Sequence, residues 1–132
     1  MTTATAALGL SSCGASDTSS PESTPSTKAT ASATASGDRT TLKVTADPDG
    51  AMEFTETMFT AKAGEVVVEF SNQSQVPHAV EIEGYGLRET TETVTGEDAQ
   101  PIKITLQVGD YSLFCPIDGH RARGMSAKLI VL

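Results

Sequence analysis

Tryptophan is absent from this 132-residue chain, and all aromatics together make up 5% of it. Any core must therefore rest on Val, Ile, Leu and Met rather than on large rings. Positive charge is scarce as well: 9 Lys and Arg stand against 17 Asp and Glu, a net charge of −8. That balance argues against nucleic acid as a partner, because such binding begins with neutralising phosphates. No apolar run approaches the ~18 residues that a membrane-crossing helix needs. Histidine occurs only twice, and so does cysteine. Those counts leave material for one small metal site and none for a second.

What is present is concentrated in Cys115-Pro116-Ile117-Asp118-Gly119-His120-Arg121-Ala122-Arg123-Gly124-Met125. The spacing Cys-x4-His-x4-Met puts a thiolate, an imidazole and a thioether in one loop. These are soft or borderline donors, the set that suits copper. An electron-transfer copper site uses two His and one Cys in a near-trigonal plane with a weak axial Met. The loop lacks one His, and the only other in the chain is His78. Cys115, His120, His78 and Met125 thus complete the set without a spare residue. Zinc also takes Cys and His, but a thioether is a poor zinc ligand. Two blander readings stand beside this one. His78 as a structural core histidine would need a hydrogen-bond partner, and Met125 opens an apolar strand in which it could simply pack.

With Gly109-Asp110-Tyr111-Ser112-Leu113-Phe114 ahead of the loop and Pro77-His78 upstream, the chain resembles the cupredoxin family (plastocyanin/azurin-like). The ligand spacing is closest to the auracyanin and sulfocyanin branches. The resemblance covers residues 40–132 and implies an all-β, antiparallel Greek-key β-sandwich. It also implies one mononuclear type 1 copper held by His78, Cys115, His120 and Met125, with His120 near the surface as the electron route. The backbone N–H groups of Ala79 and Ile117 are its implied donors to the thiolate sulfur. Ala79 departs from the family, where an Asn often follows the first His ligand and ties the two loops together. Asn72 is a candidate for a related tie. Partners implied are redox proteins, such as a haem protein or a terminal oxidase, met by a monomer.

The apolar pattern agrees with a β fold. Leu42 and Val44 alternate with Lys43, and Asp47-Pro48-Asp49-Gly50 reads as a turn. Met52 and Phe54 alternate with Glu53. Val66, Val68 and Phe70 share one face of the next run, and Ser71 to Gln75 reads as a loop. His78, Val80 and Ile82 share a face, opposite Glu81 and Glu83. The stretch from Gly84 to Gln100 is polar and lacks a clear period, with Thr91–Thr95 a candidate short strand. Ile102, Ile104, Leu106 and Val108 alternate, and Gly109-Asp110 reads as a tight turn. Tyr111, Leu113 and Cys115 form one face, as do Met125, Ala127, Leu129 and Val131.

Residues ahead of this domain are of another kind. Leu10-Ser11-Ser12-Cys13 resembles a bacterial lipobox, which predicts lipidation of Cys13 and attachment to the outer face of the cell membrane. No Lys or Arg precedes it, so the positive start of a signal peptide is missing from this sequence. Residues 14–39 are rich in Ser, Thr and Ala and hold no large apolar side chain, which predicts a disordered stalk. A disulfide between Cys13 and Cys115 is disfavoured, because one lies beyond the stalk and the other within the metal motif.

Three functions compete. A one-electron carrier between extracytoplasmic or membrane-associated partners is the leading expectation, and no substrate turns over in it. Copper delivery or storage is the alternative, but it tends to use extra Met or His clusters, and Met52 and Met58 stand apart from the motif. A nitrite-reductase or multicopper-oxidase domain needs further His ligands, and a binuclear copper centre needs a second Cys in the site. Finally, Arg121 and Arg123 lie inside the loop with Asp118 as its only acid. They predict a local positive patch that would dock an acidic partner surface.

Overall fold

The protein is described here by a computed structural model that places residues 29–36 and 39–132. Cys13 lies outside the described residues, as do residues 14–28, 37 and 38 of the expected 14–39 stalk. The fold is an all-β sandwich with no α-helix among the described residues. The strands are β1 (Thr30–Ser32), β2 (Thr34–Ser36), β3 (Arg39–Thr45), β4 (Met58–Ala61), β5 (Gly64–Asn72), β6 (Glu81–Gly84), β7 (Leu87–Thr90), β8 (Glu97–Asp98), β9 (Ile102–Leu106), β10 (Gly109–Phe114) and β11 (Ser126–Val131). One sheet runs β1-β4-β11-β10-β6-β7, and the other runs β2-β3-β5-β8 with β9 also on β5. Pairing is mixed: β1 with β4, β4 with β11 and β3 with β5 are parallel, and the remaining pairs are antiparallel. Chain-adjacent strands that lie in different sheets, such as β3 and β4 or β4 and β5, bring parallel neighbours together where hairpins alone would not.

Alternation builds the core as expected. Leu42, Val44, Val66, Val68, Phe70, Ile104 and Leu106 face inward from one sheet, and Phe59, Ile82, Tyr111, Leu113, Leu129 and Val131 from the other. Large rings contribute more than the composition suggested: Phe54, Phe59, Phe70 and Tyr111 are all buried in this core, and Phe54 meets Phe70 edge to face at 6.4 Å. Tyr111 closes the β9–β10 corner: its hydroxyl accepts from Gln107 N at 3.1 Å and donates to Gln107 O at 3.2 Å. The chain therefore turns at Gln107 and Val108, and Gly109-Asp110 opens β10 instead of forming the turn. Val108 falls on the outside of that corner, 66% exposed, so the inward alternation of β9 ends at Leu106.

Three further expectations need correction. The domain begins before residue 40, because β1 pairs with β4 and β2 pairs with β3. Small Ser, Thr and Ala residues can satisfy their backbone on two sheet edges without large side chains to bury, and Ala31 and Ala33 pack on the core. Only Ala33 separates the two strands, so this short segment steps from one sheet to the other. Thr91–Thr95 contributes a single bridge, Val94 to His78, whereas the regular pairing in that region belongs to β7 and β8. Met52–Phe54 is not a strand; Phe54 forms a bridge with Ala46.

Candidate metal centre

His78 follows Pro77 and enters an isolated bridge with Val94: His78 N donates to Val94 O at 3.1 Å, and Val94 N to His78 O at 2.9 Å. Asn72, fully buried at the end of β5, stiffens this arm from behind. Its Nδ2 donates to Val76 O at 2.8 Å and to Val94 O at 2.7 Å, and its Oδ1 accepts from Ser74 N at 3.0 Å and Ser74 Oγ at 2.8 Å. Asn72 thus ties together the segments on either side of His78. On the far side of His78, Val80 N donates to Thr91 Oγ1 at 3.0 Å and Thr91 N to Val80 O at 2.9 Å. Ala79, fully buried, sits between these anchors.

The second arm begins at Cys115, on the inward face where β10 ends, beside Leu113 and Tyr111. Its backbone closes on itself. Cys115 N donates to Met125 O at 3.1 Å, Met125 N to His120 O at 3.1 Å, and His120 N to Ile117 O at 3.0 Å. A 3-10 turn over Arg121–Arg123 follows His120 directly and ends at Gly124, whose φ of 111° suits glycine best. Gly119 at φ 78° makes the same demand ahead of His120. Met125, fully buried in the core cluster, follows the turn and leads into β11, and Ile117 packs half-buried against the core.

The two arms meet. The ligand atoms of His78, Cys115 and His120 all lie within 4.8 Å of one another, and Cys115 Sγ is 3.5 Å from His120 Nδ1. The imidazole rings of His78 and His120 are 5.1 Å apart at 64°. Both ring nitrogens of His78 are buried with no hydrogen-bond partner. Burial holds the His78 pKa below the ordinary histidine value, and the neighbouring His120 lowers it further. The ring is therefore neutral and its lone pair is unused, the state in which histidine binds metal. A buried, unpartnered imidazole is costly in a core, and a cation in the triangle removes that cost.

Residues 26–131 match the cupredoxin-like domain family. The chain belongs to that family. Among curated proteins none matches it in sequence. Solved cupredoxin structures do match in fold. The reduced auracyanin of Roseiflexus castenholzii has a TM-score of 0.63 at 18% identity, over 70% of this chain and 96% of that one. Auracyanin A, a blue copper protein of Chloroflexus aurantiacus, has 0.61 at 18%, over 71% and 99%. Reduced rusticyanin has 0.57 at 21%, over 76% and 84%. The cupredoxin cofactor is one copper ion, and the residues present fit it: a buried thiol and two imidazoles converge, one of them orphaned.

Around this triangle the structure separates the two arginines. Arg121 lies with Cζ 3.8 Å from the centre of the Phe114 ring and Nη1 4.0 Å from Glu83 Oε2. Arg123 is exposed and makes no ion pair among the described residues. Sequence reasoning missed Val94, Ser74 and Phe114. The first two act through backbone pairing and a side-chain bond to Asn72, which leave no signature in composition. Phe114 could have been found from its place next to Cys115 on the outward face of β10.

Proposed function

We propose that the protein is a blue copper electron carrier with a single type 1 site. His78, Cys115 and His120 would hold the copper, and the Met125 thioether would serve as a weaker fourth donor. The observation that carries this reading is the uneven burial of a compact donor set. His78, Cys115 and Met125 are fully buried, while His120 keeps 8% of its surface exposed. Bound copper supplies a Cu(I)/Cu(II) couple that accepts and returns one electron. The chain supplies the rest. Cys115 gives up its proton and offers a thiolate. His78 and His120 offer neutral nitrogens. The backbone frame around them keeps the donor set in place, so little rearrangement accompanies each transfer. His120 offers the shortest way out. The copper-loaded protein should show an intense thiolate charge-transfer band and a reversible one-electron wave. A colourless protein whose Cu(I) is readily withdrawn by a chelator would instead indicate copper delivery or storage.

The carrier works outside the cytoplasm, anchored to the membrane through lipidated Cys13 and passing electrons between membrane-associated or extracytoplasmic redox proteins. Leu10-Ser11-Ser12-Cys13 supports this. Protein made with its native upstream sequence should partition into detergent, and Cys13→Ala should abolish that. Wild type found wholly in the aqueous phase would refute the anchor. Docking falls to the surface beside His120, where Arg123 offers a free cation to an acidic partner or to haem propionates. Arg123→Glu should slow transfer to an acidic acceptor, with the wild-type rate falling as salt rises.

A further inference from the structure

We propose that Arg121 is a positioning residue for His120: it pins the short turn behind His120 to the outer face of the sheet, through Phe114 and Glu83. This rests on reading His120 as a ligand.

The turn over Arg121–Arg123 is closed by backbone bonds alone, Arg123 N to Gly119 O at 3.2 Å and Met125 N to His120 O at 3.1 Å among them. It buries no side chain, and His120 makes no side-chain cap at its start. Its 3-10 hydrogen bonds, such as Arg123 N to His120 O and Gly124 N to Arg121 O at 3.1 Å each, are of a poorer kind than those of an α-helix. The Arg121 side chain provides the missing attachment. Phe114 points away from the core, opposite to Leu113 and Cys115, yet is only 6% exposed, and the Arg121 guanidinium lies over its ring. Phe114 lies opposite Glu81 in the β10–β6 register, and Ser112 lies opposite Glu83, so both carboxylates share that outer face.

Charges of alternating sign then run across it. Glu81 Oε1 meets Arg88 Nε at 3.3 Å, Arg88 Nη2 donates to Glu83 Oε1 at 2.8 Å, and Glu83 Oε2 faces Arg121 Nη1 at 4.0 Å. Glu81 Oε1 has no hydrogen bond of proper geometry, so its link to Arg88 is an ion pair only. Glu83 is nevertheless committed: its bond to Arg88 lowers its pKa first, and the charges of Arg88 and Arg121 add to the effect. The chain of charges ends on the ring of the residue next to Cys115. Arg121 therefore links the two loop ligands from outside: its backbone follows His120, and its side chain rests on the residue before Cys115.

Amide hydrogen exchange of the metal-free protein tests this at Arg123, Gly124 and Met125, whose N–H groups bond back into the turn. Arg121→Gln and Phe114→Leu should each speed their exchange about two- to fivefold, the range of an exposed cation–π contact, and the double variant should add little beyond either. Phe114→Tyr, which keeps the ring face, should exchange like wild type. Arg121→Lys should fall between, since an ammonium lacks the planar stacking face. In the copper-loaded protein, Arg121→Gln should shift the charge-transfer band. Unchanged exchange and spectrum in Arg121→Gln, with only a salt-dependent slowing of transfer to an acidic acceptor, would make Arg121 a docking cation and overturn the proposal. Fully additive effects in the double variant would also overturn it. Exchange is read without metal, so the outcome is independent of whether the wild-type protein turns blue.

Discussion

His78 is held by bonds reaching in from distant parts of the chain, whereas Cys115, His120 and Met125 are held largely by one another. Behind His78 stand Asn72 from β5, Val94 across a bridge and Thr91 beyond it. The loop from Cys115 to Met125 instead closes through its own backbone, with two glycines at positive φ shaping it. The first arm depends on the completed sandwich, and the second is nearly self-contained. A donor set assembled this way exists only once the fold is formed, because half of its support is non-local. The loop alone would bring a thiol and one imidazole but not the second.

The sharpest way to break the contrast is to remove the donor at the base of the self-contained arm. Cys115→Ser should abolish the blue band completely while leaving a β-type circular dichroism spectrum. A variant that kept the colour would show that the thiolate is not the source. Next in size is the support of the other arm. Asn72→Ala removes four hydrogen bonds, although Val94 O keeps His78 N and Val76 O keeps Ser74 Oγ, and denaturant unfolding of the metal-free protein should show a loss of about 1–3 kcal/mol. An unchanged midpoint would mean that the His78 arm stands without Asn72.

His78→Leu should separate function from stability. The buried orphan imidazole gives way to an apolar side chain, so the metal-free protein should gain about 1–3 kcal/mol while its copper affinity collapses. Titration with copper and a melting curve check the two halves. A destabilised metal-free variant would show that the imidazole is satisfied in the core after all. The smallest effect belongs to Met125. Met125→Gln should retain copper but lower the reduction potential, because a harder oxygen donor favours Cu(II). An unchanged potential would leave Met125 as a packing residue of β11.

The same contrast explains what could be read from the residues alone. The loop was legible because its donors, its glycines and its Pro116 sit within one short stretch, and local chemistry writes itself into local sequence. His78 was legible by elimination, since the chain has no other candidate beside His120. Of its supports only Asn72 stood out beforehand, as a candidate tie; its carbonyl partners and the bridge to Val94 did not, because they depend on pairing between segments far apart in sequence. Strands with a clear two-residue period, such as β5 and β11, appeared where expected. The polar strands β7 and β8 did not, because their residues face solvent and carry no apolar alternation. β1 and β2 were hidden by the same small residues that made the region look like a stalk.

The register of β1 also decides how the domain can be held. Thr30 pairs with Met58, which pairs with Lys128 near the start of β11, so the chain enters the sandwich from the end where Cys115 and Met125 lie. Leu132 emerges at the opposite end, where its N–H meets Ala61 O at 2.9 Å. A surface that grips the protein at Thr30 takes hold beside the candidate metal centre, while a handle at Leu132 leaves that centre pointing outward. On an electrode, the choice between these two points of attachment sets which way the centre faces.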